Sequence, residues 1–569
     1  MFLWGMRAVL FIALLTSLAT HGQQSIVSHV VDATTGAPLP YCTVVRLGSA
    51  SGTITNEDGA FRIALGDPAD SLRISFVGYA SRTLHLSAAL DGQRIRLPRA
   101  VVDLGEAVIR PDDGLYERII RVDKWIRKAP GLYSKLFFAV ETSSDGLPVE
   151  MIHAYYNAAT KGGTLRSLGL KNGRIGLVAR EGRFFVNYNT TKAFALMDIT
   201  AEESLFPTSP LKHHQARLLR KGFIVEQVSA AGDTDGVDHL RIIPRRNNPR
   251  AFTTELWLEP GGDVVRAVEL RCSNCPQHPF KPLFEHGSID TVDLRFKQTW
   301  STGAEPLPEV MQLDYRMVYS GPGTHESFTT HAVMHAYDRS SAFTLPLFTY
   351  TGEIPDYRKI GWLPEDTAFW QRVRPPLPTA KQQRAMEFLK MNDLNSGQWY
   401  EELDNARNFF KPPYAVWSAE RRIRLTELIG AETPEGQPGL DPARTHLAAQ
   451  FYLDLDTVNG QLLHRTFTVA DGYLTTVPAE RLPWTDCFHN IWFDLCELER
   501  RKLEADLDAP GMTIAHAQTL YTEHTTALRR ITQRLLQETA HGTRCEPLFH
   551  WNAVIKEALG IDNIALLGI

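Results

Sequence analysis

The spacing of apolar residues changes period along this chain, and each change predicts a different kind of element. From Ser25 to Leu86, short runs rich in Val, Ile, Thr and Phe alternate with the turn sequences TTGAPLP, NEDG and GDPADS, a rhythm that predicts a small all-β sandwich. In TNEDGAFRI, Asn56 and Asp58 can bond their own backbone and Gly59 accepts a positive φ, so a hairpin turn explains the acidic pair. Phe61 and Ile63 then point to the core, with Ala60 and Arg62 on the other face. The stretch LYERIIRVDKWIRKAP carries Leu115, Ile119, Val122 and Ile126 at helical spacing, with Trp125 beside them, and predicts a connector helix closed by Pro130. From Tyr133 to about Tyr350 the period returns to two in FFAVET, HLRIIP, TTELWLEPGGDVVRAVELR, TVDLRFKQTW and MQLDYRMVYSG, which predicts an extended antiparallel sheet.

Helical spacing dominates after that. WSAERRIRLTELIG offers Ser418 as an N-cap and Gly430 as a stop, and DPARTHLAAQFYLDL opens on Asp441 and Pro442, so both predict helices. A helix over Thr513–His541 places Ile514, Ala517, Tyr521, His524, Leu528, Ile531 and Leu535 on one stripe. Its partner is Thr485–Asp506, with Phe488, Trp492, Leu495 and Cys496, and the short connection LDAPGM makes the pair antiparallel. His524 in that stripe reads as a hydrogen-bonded core residue. The fold class is therefore multidomain α+β: the sandwich, a connector helix at 111–130, a large antiparallel, half-barrel-like sheet domain at 131–365, a linker with helices at 366–440, and a helical domain at 441–569.

The opening residues need a separate reading. Arg7 precedes an apolar run from Ala8 to about Leu18, shorter than the roughly 20 residues a membrane span needs, so residues 1–22 read as a signal peptide cleaved after Gly22. The first cysteine is Cys42, which argues against a lipoprotein anchor. A chain of 569 residues with a formal charge of -5 has room for several domains and gives no electrostatic reason to bind nucleic acid.

Export makes disulfides possible. Cys272 and Cys275, in RCSNCPQHPF, read as a small-loop disulfide in preference to a metal pair, because no second CxxC supplies two further ligands. Cys487 and Cys545 fall at one end of the helical hairpin and are predicted to form another, while Cys42 and Cys496 read as buried thiols. At that same end, Asp486 with His489 and Glu538 with His541 are candidate metal ligands, each pair three residues apart. Against metal stand an offset of about 7 Å at 1.5 Å rise per residue and a sufficient account in helix-end charges. His331 and His335 share a strand face but lie about 13 Å apart at about 3.3 Å per residue, too far for one ion. The adjacent His213 and His214 point apart. DLDTVNG is not a calcium loop, since the position that should carry the closing Glu is Arg465.

The order TGAPLP, GTITNEDGAFRI, LRISFVGYASRTL, LGEAVI resembles the carboxypeptidase regulatory-like domain over residues 25–110. That resemblance implies a transthyretin-like β-sandwich, an accessory module without catalytic residues, common in exported Bacteroidetes proteins. None of the 19 histidines begins an HxxE, and HExxH is absent, so the peptidase in the family's name does not transfer. HLRIIPRRNNPRAFTTELWLEPGGDVVRAVELR is similar to lipoprotein-carrier half-barrels, whose concave face holds acyl chains. DTAFWQRVRPPLPTAKQQ resembles a signature in a Bacteroidetes outer-membrane family of unknown function with the same N-terminal domain. That family continues into a membrane β-barrel, whereas the strand alternation of a lipid-facing barrel is missing here.

The resulting expectation is a non-enzymatic periplasmic or outer-membrane-associated interaction protein, not integral to the membrane. No cofactor is implied, its partner is an envelope protein, glycan or lipid, and the central sheet offers an apolar-ligand surface. The alternative is an envelope hydrolase or metal-dependent enzyme with its site at Asp486, His489, Glu538 and His541.

Overall fold

The computed structural model describes residues 25–47, 52–65, 70–100, 114–177, 179–180, 183–184, 190–228, 237–282, 286–301, 308–321, 324–338, 356, 360, 369–370, 373–389, 414–424, 446–458, 461–472, 475 and 482–567. The predicted signal peptide, the predicted Gly430 stop and the predicted Asp441–Pro442 start fall outside these. The chain divides into two compact units, one built on residues 1–108 with the short stretches 229–237 and 376–380, the other on the remainder.

The first unit holds β1 (Ser25–Asp32), β2 (Thr43–Leu47), β3 (Gly52–Ile54), β4 (Ala60–Ala64), β5 (Ser71–Ser75), β6 (Arg82–His85) and β7 (Arg94–Leu97). They form two sheets, β4-β1-β7 and β3-β2-β5-β6, around a shared core that includes Ile26, Val30, Val44, Phe61, Leu72 and Ile74. TNEDGAFRI is a turn feeding β4: Asn56 Oδ1 accepts the backbone N–H groups of Asp58 at 3.0 Å and Ala60 at 2.9 Å. Gly59 sits at φ +71°, and a Cβ there would come within 2.5 Å of the Val30 carbonyl oxygen, so only glycine fits.

In the second unit α1 (Leu115–Lys128) runs from the left-handed Gly114 to Ala129, with Glu117 in its first turn and Arg127 and Lys128 in its last, the order the helix dipole favours. Then come β8 (Leu132–Ser144), β9 (Leu147–Lys161), β10 (Thr164–Leu177), a two-residue ladder of β11 (Ala179–Arg180) with β12 (Arg183–Phe184), α2 (Thr190–Leu196) and α3 (Ala216–Gly222). A meander follows: β13 (Phe223–Gln227), β14 (Asp238–Pro244), β15 (Thr253–Leu258), β16 (Val265–Cys272), β17 (Ser288–Trp300), β18 (Pro308–Gly321) and β19 (Thr324–Asp338). All ten long strands join one antiparallel sheet, ordered β10-β9-β8-β19-β18-β17-β16-β15-β14-β13.

The sheet curls around α1. A flat ten-stranded sheet would separate its edge strands by about 43 Å at about 4.8 Å per strand, whereas a 14-residue helix is about 21 Å long. Yet α1 meets both ends of the sheet. A Cβ on Gly162, in the β9–β10 turn, would lie 3.4 Å from the Ile126 carbonyl oxygen, while Tyr116 Oη donates to the Phe223 carbonyl at 3.3 Å and Arg118 Nη2 reaches Asp238 at 2.6 Å. The inner face therefore carries the apolar alternation, Leu136, Phe138 and Val140 on β8 and Leu294 and Phe296 on β17, packed with Ile119, Val122 and Ile126 of α1 and Phe194 of α2. The helix expected to be a mere connector fills the sheet's interior.

After α4 (Ala380–Phe388) comes the C-terminal part: β20 (Tyr414–Val416), β21 (Ala449–Val458), β22 (Gln461–Asp471), α5 (Thr485–Leu507), α6 (Ile514–Glu538) and α7 (Glu546–Leu559). The helical hairpin predicted over Thr485–Asp506 and Thr513–His541 is α5 and α6, with the Thr513 hydroxyl capping His516 N–H at 3.2 Å. His524 lies between Glu499 (2.8 Å) and Asp506 (2.9 Å), a hydrogen-bonded position in the pair's interface.

Two predicted helices are corrected. AQFYLDLDTV is strand β21, because its alternation is period two: Phe451, Leu453 and Leu455 enter one core with Cys496, Leu503 and Leu528. Residues 418–424 are irregular, since the Ser418 hydroxyl closes a turn onto Glu420 and Arg421, and the Asn490 side chain clamps both backbone groups of Ile423 at 2.8 Å. The linker at 366–440 and the helical domain at 441–569 thus also contribute a three-stranded sheet, order β20-β22-β21, beside the C-terminal helices. Among the described residues no helix is long and apolar enough to cross a membrane.

Candidate functional site

The outer face of β8, β9, β10 and β19 bears a cluster of charged and aromatic side chains that the opposing strand β21 covers. Alternation makes β21 two-sided: its odd residues serve its own helices, and Asp454 and Asp456 point to the sheet. Lys135 of β8, with no exposed side-chain surface, donates to the Leu455 carbonyl at 2.6 Å and to Asp456 at 2.8 Å, with Asp338 at 3.5 Å. Lys171 of β10, 1% exposed, pairs with Asp454 at 2.6 Å and Asp456 at 2.8 Å. Asn157 Nδ2 donates to Asp454 at 3.1 Å, and Arg465 of β22 donates to the Lys171 carbonyl at 2.5 Å.

Two β-bulges supply part of this cluster. Leu170 faces Tyr156 and Asn172 faces Tyr155, which leaves Lys171 as an extra residue in β10; Ala336 faces Leu136 and Asp338 faces Lys135, which leaves Tyr337 extra in β19. Around the ions sits an aromatic group: Tyr155 packs edge-on against Tyr337, Phe369 and Trp370 with ring centroids 5.0–5.4 Å apart, and the Arg174 guanidinium lies 3.8 Å over Trp370.

The electrostatics favour holding over reacting. Burial opposes the charge on Lys171, but Asp454 and Asp456 outweigh it and raise its pKa. Burial likewise works against Asp456, and Lys171 and Lys135 outweigh it and lower its pKa. Burial raises Tyr155 and Tyr337 well above an ordinary phenol. Burial, with Arg174 nearby, pushes His153 down to about 3. A nucleophilic lysine or a general base needs a pKa moved toward the working pH, and these groups move away from it.

On the inner face, the loop after α2 leaves a cleft of about 230 Å³ beside Met197, Ile199, Phe206, Phe252 and Leu270, with Glu202, Lys212 and Gln277 at its polar side.

The residues singled out by sequence fall elsewhere. Cys272 and Cys275 are bonded, with Cα atoms 5.8 Å apart, and both are buried where the Cys275 N–H joins the Val292 carbonyl. Cys487 and Cys545 are free thiols, a correction to the predicted bridge: Cys487 is packed into the core of α5–α7 and Cys545 sits at the N-terminus of α7 against that core. Asp486, His489, Glu538 and His541 do not converge. His489 is buried and bonds the Thr485 carbonyl at 2.8 Å, and Glu538 accepts from Trp551 Nε1 at 2.9 Å. α6 ends at Glu538, and His541, at φ +57°, has already left the helix, so the second pair shares no helical face. Among the described residues no group of three or more His, Cys, Asp or Glu side chains is placed to hold a metal ion.

Comparison with known proteins identifies one segment. Residues 28–109 are a CarboxypepD_reg-like domain. Over 90 residues the chain is 31% identical to the TonB-dependent receptor SusC of Bacteroides thetaiotaomicron, a match covering 16% of this chain and 9% of that receptor. Two solved structures align at low similarity. One is a protein of unknown function from Bacteroides fragilis described as membrane-associated, at 10% identity over 55% of this chain and 96% of that one, TM-score 0.11. The other is the MucA/MucB complex of Pseudomonas aeruginosa, at 11% identity over 38% and 92%, TM-score 0.15. At these scores neither likeness carries an argument.

Proposed function

We propose that this chain is a non-enzymatic cell-envelope interaction protein, in which the CarboxypepD_reg-like domain is the interaction module and the curled sheet with its C-terminal helices is a rigid scaffold. The observation that carries this reading is the domain at residues 28–109, beside a 90-residue likeness to a TonB-dependent receptor. Export through the leader at residues 1–22, a transthyretin-like arrangement of the sandwich, and kinship with an outer-membrane family of the Bacteroidetes belong to the same proposal. The favoured charged forms of Lys171 and Asp456 support a holding role. Among the described residues, α1 and α2 occupy much of the inner face, and the cleft of about 230 Å³ beside them is the place proposed for an apolar ligand; that is below the roughly 300–1,000 Å³ of pockets for drug-sized ligands.

The test is fractionation of Bacteroides cells expressing the full chain with a C-terminal tag, combined with a photo-crosslinking residue at the exposed Leu47 of the sandwich. The reading expects the chain in the envelope fraction and a discrete crosslinked adduct at Leu47. A cytosolic chain would end it.

A further inference from the structure

We propose that β20–β22 with α5–α7 form a separable module, latched to the central sheet by Asp454 and Asp456 and released from it as a unit in acid.

The geometry supplies two independent reasons. First, the two parts have separate cores: the apolar residues of α5, α6, α7 and β21 pack among themselves, and none of them belongs to the core around α1. Second, the described contact between them is ionic where interior contacts are ordinarily apolar. Lys135 and Lys171 meet Asp454, Asp456 and the Leu455 carbonyl, Asn157 donates to Asp454, and Arg465 of β22 donates to the Lys171 carbonyl. A buried ion pair contributes little net stability when intact, but removing one partner is strongly destabilising, because a charge is left buried without compensation.

Protonating both aspartates would leave two buried ammonium groups facing Asp338 alone. The other groups around the seam offer no relief: Tyr155 from β9, Arg174 from β10, Tyr337 from β19 and Arg465 from β22 are neutral or cationic throughout, and His153 gains positive charge near pH 3. Separating the seam hydrates both lysines and leaves each core intact, so separation precedes unfolding. The sign follows from linkage. Asp456, whose folded pKa is depressed, stabilises the closed form above the ordinary carboxylate value and loses that contribution as pH falls through its folded value. Lys171, whose folded pKa is raised, contributes below the ordinary lysine value and loses that only as pH rises through its own folded value. The latch is therefore closed at neutrality and opens only in acid, as pH falls from the ordinary carboxylate value through the depressed folded value of Asp456.

Small-angle scattering with far-UV circular dichroism, on the full chain from pH 7 to pH 3, tests this. The wild type should gain radius of gyration as pH falls below the ordinary carboxylate value while its secondary structure persists, and should recover on return to pH 7; a wild type that stays compact down to pH 3 overturns the proposal. D454N/D456N should be expanded already at pH 7. A seam made apolar, K135M/K171M/D454L/D456L, should stay compact throughout. Expansion that coincides with loss of secondary structure in the wild type, or a folded D454N/D456N that stays compact at pH 7, overturns the proposal. If D454N/D456N fails to fold, the other two proteins decide: expansion of the wild type alone upholds the latch, and identical behaviour of both overturns it.

Discussion

The two faces of the central sheet are closed in opposite ways. On the inner face Ile119, Val122 and Ile126 of α1 meet Leu136, Phe138 and Val140, a contact that is non-directional and indifferent to pH. On the outer face, along β8–β10, β21 is held by two lysines and three carboxylates at N–O separations of 2.6 to 3.5 Å. The first closure tolerates small shifts and makes the sheet's curl permanent. The second fixes register, and its strength depends on protonation.

Four measurements would break or sharpen this contrast, each a change in unfolding free energy by chemical denaturation of the full chain. Lys135→Met leaves Asp338 and Asp456 in excess in a dry seam and is expected to cost about 4 kcal/mol, the range for halving a buried pair. A cost near zero would mean that water reaches the seam. Ile119→Ala removes a fully buried side chain from the inner face and should cost about 3 kcal/mol through the cavity it leaves. That cost should be the same at pH 5 and pH 8; a pH-dependent loss would contradict the apolar account of this face.

Tyr337→Phe should stabilise, by up to about 1 kcal/mol, because the hydroxyl is buried with no hydrogen-bond partner among the described residues. A loss instead would show that a water or an ion completes the cluster. Arg121→Ala gives the smallest effect, under about 0.5 kcal/mol and vanishing in salt. The Arg121–Asp263 pair has the same 2.8 Å separation as Lys135–Asp456, but the Arg121 side chain is 56% exposed. Equal costs for Arg121→Ala and Lys135→Met would remove burial as the explanation.

Much of the architecture was legible in local pattern. The turn at Asn56–Gly59, the stripe of α1, the long strands and the α5–α6 hairpin each satisfy a period and a boundary signal within about twenty residues. The seam was hidden by distance along the chain. FYLDLD carries the alternation of a strand, yet Asp441–Pro442 upstream suggested a helix, and nothing local tells that Asp454 and Asp456 face a sheet. Lys135 and Asp456 are 321 residues apart, so each reads alone as a solvated charge. The metal candidates failed for a local reason: α6 ends three residues before His541. The signal that could have found the seam was a strand with apolar residues on one face and acids on the other, Phe451, Leu453 and Leu455 against Asp454 and Asp456.

The bulge at Lys171 has an evolutionary corollary. Because Leu170 and Asn172 already face consecutive residues of β9, excising Lys171 would let the ladder zip shut with every neighbour still on its own side. A single in-frame codon, gained or lost, could therefore install or erase half of the ionic seam without disturbing the strand that carries it.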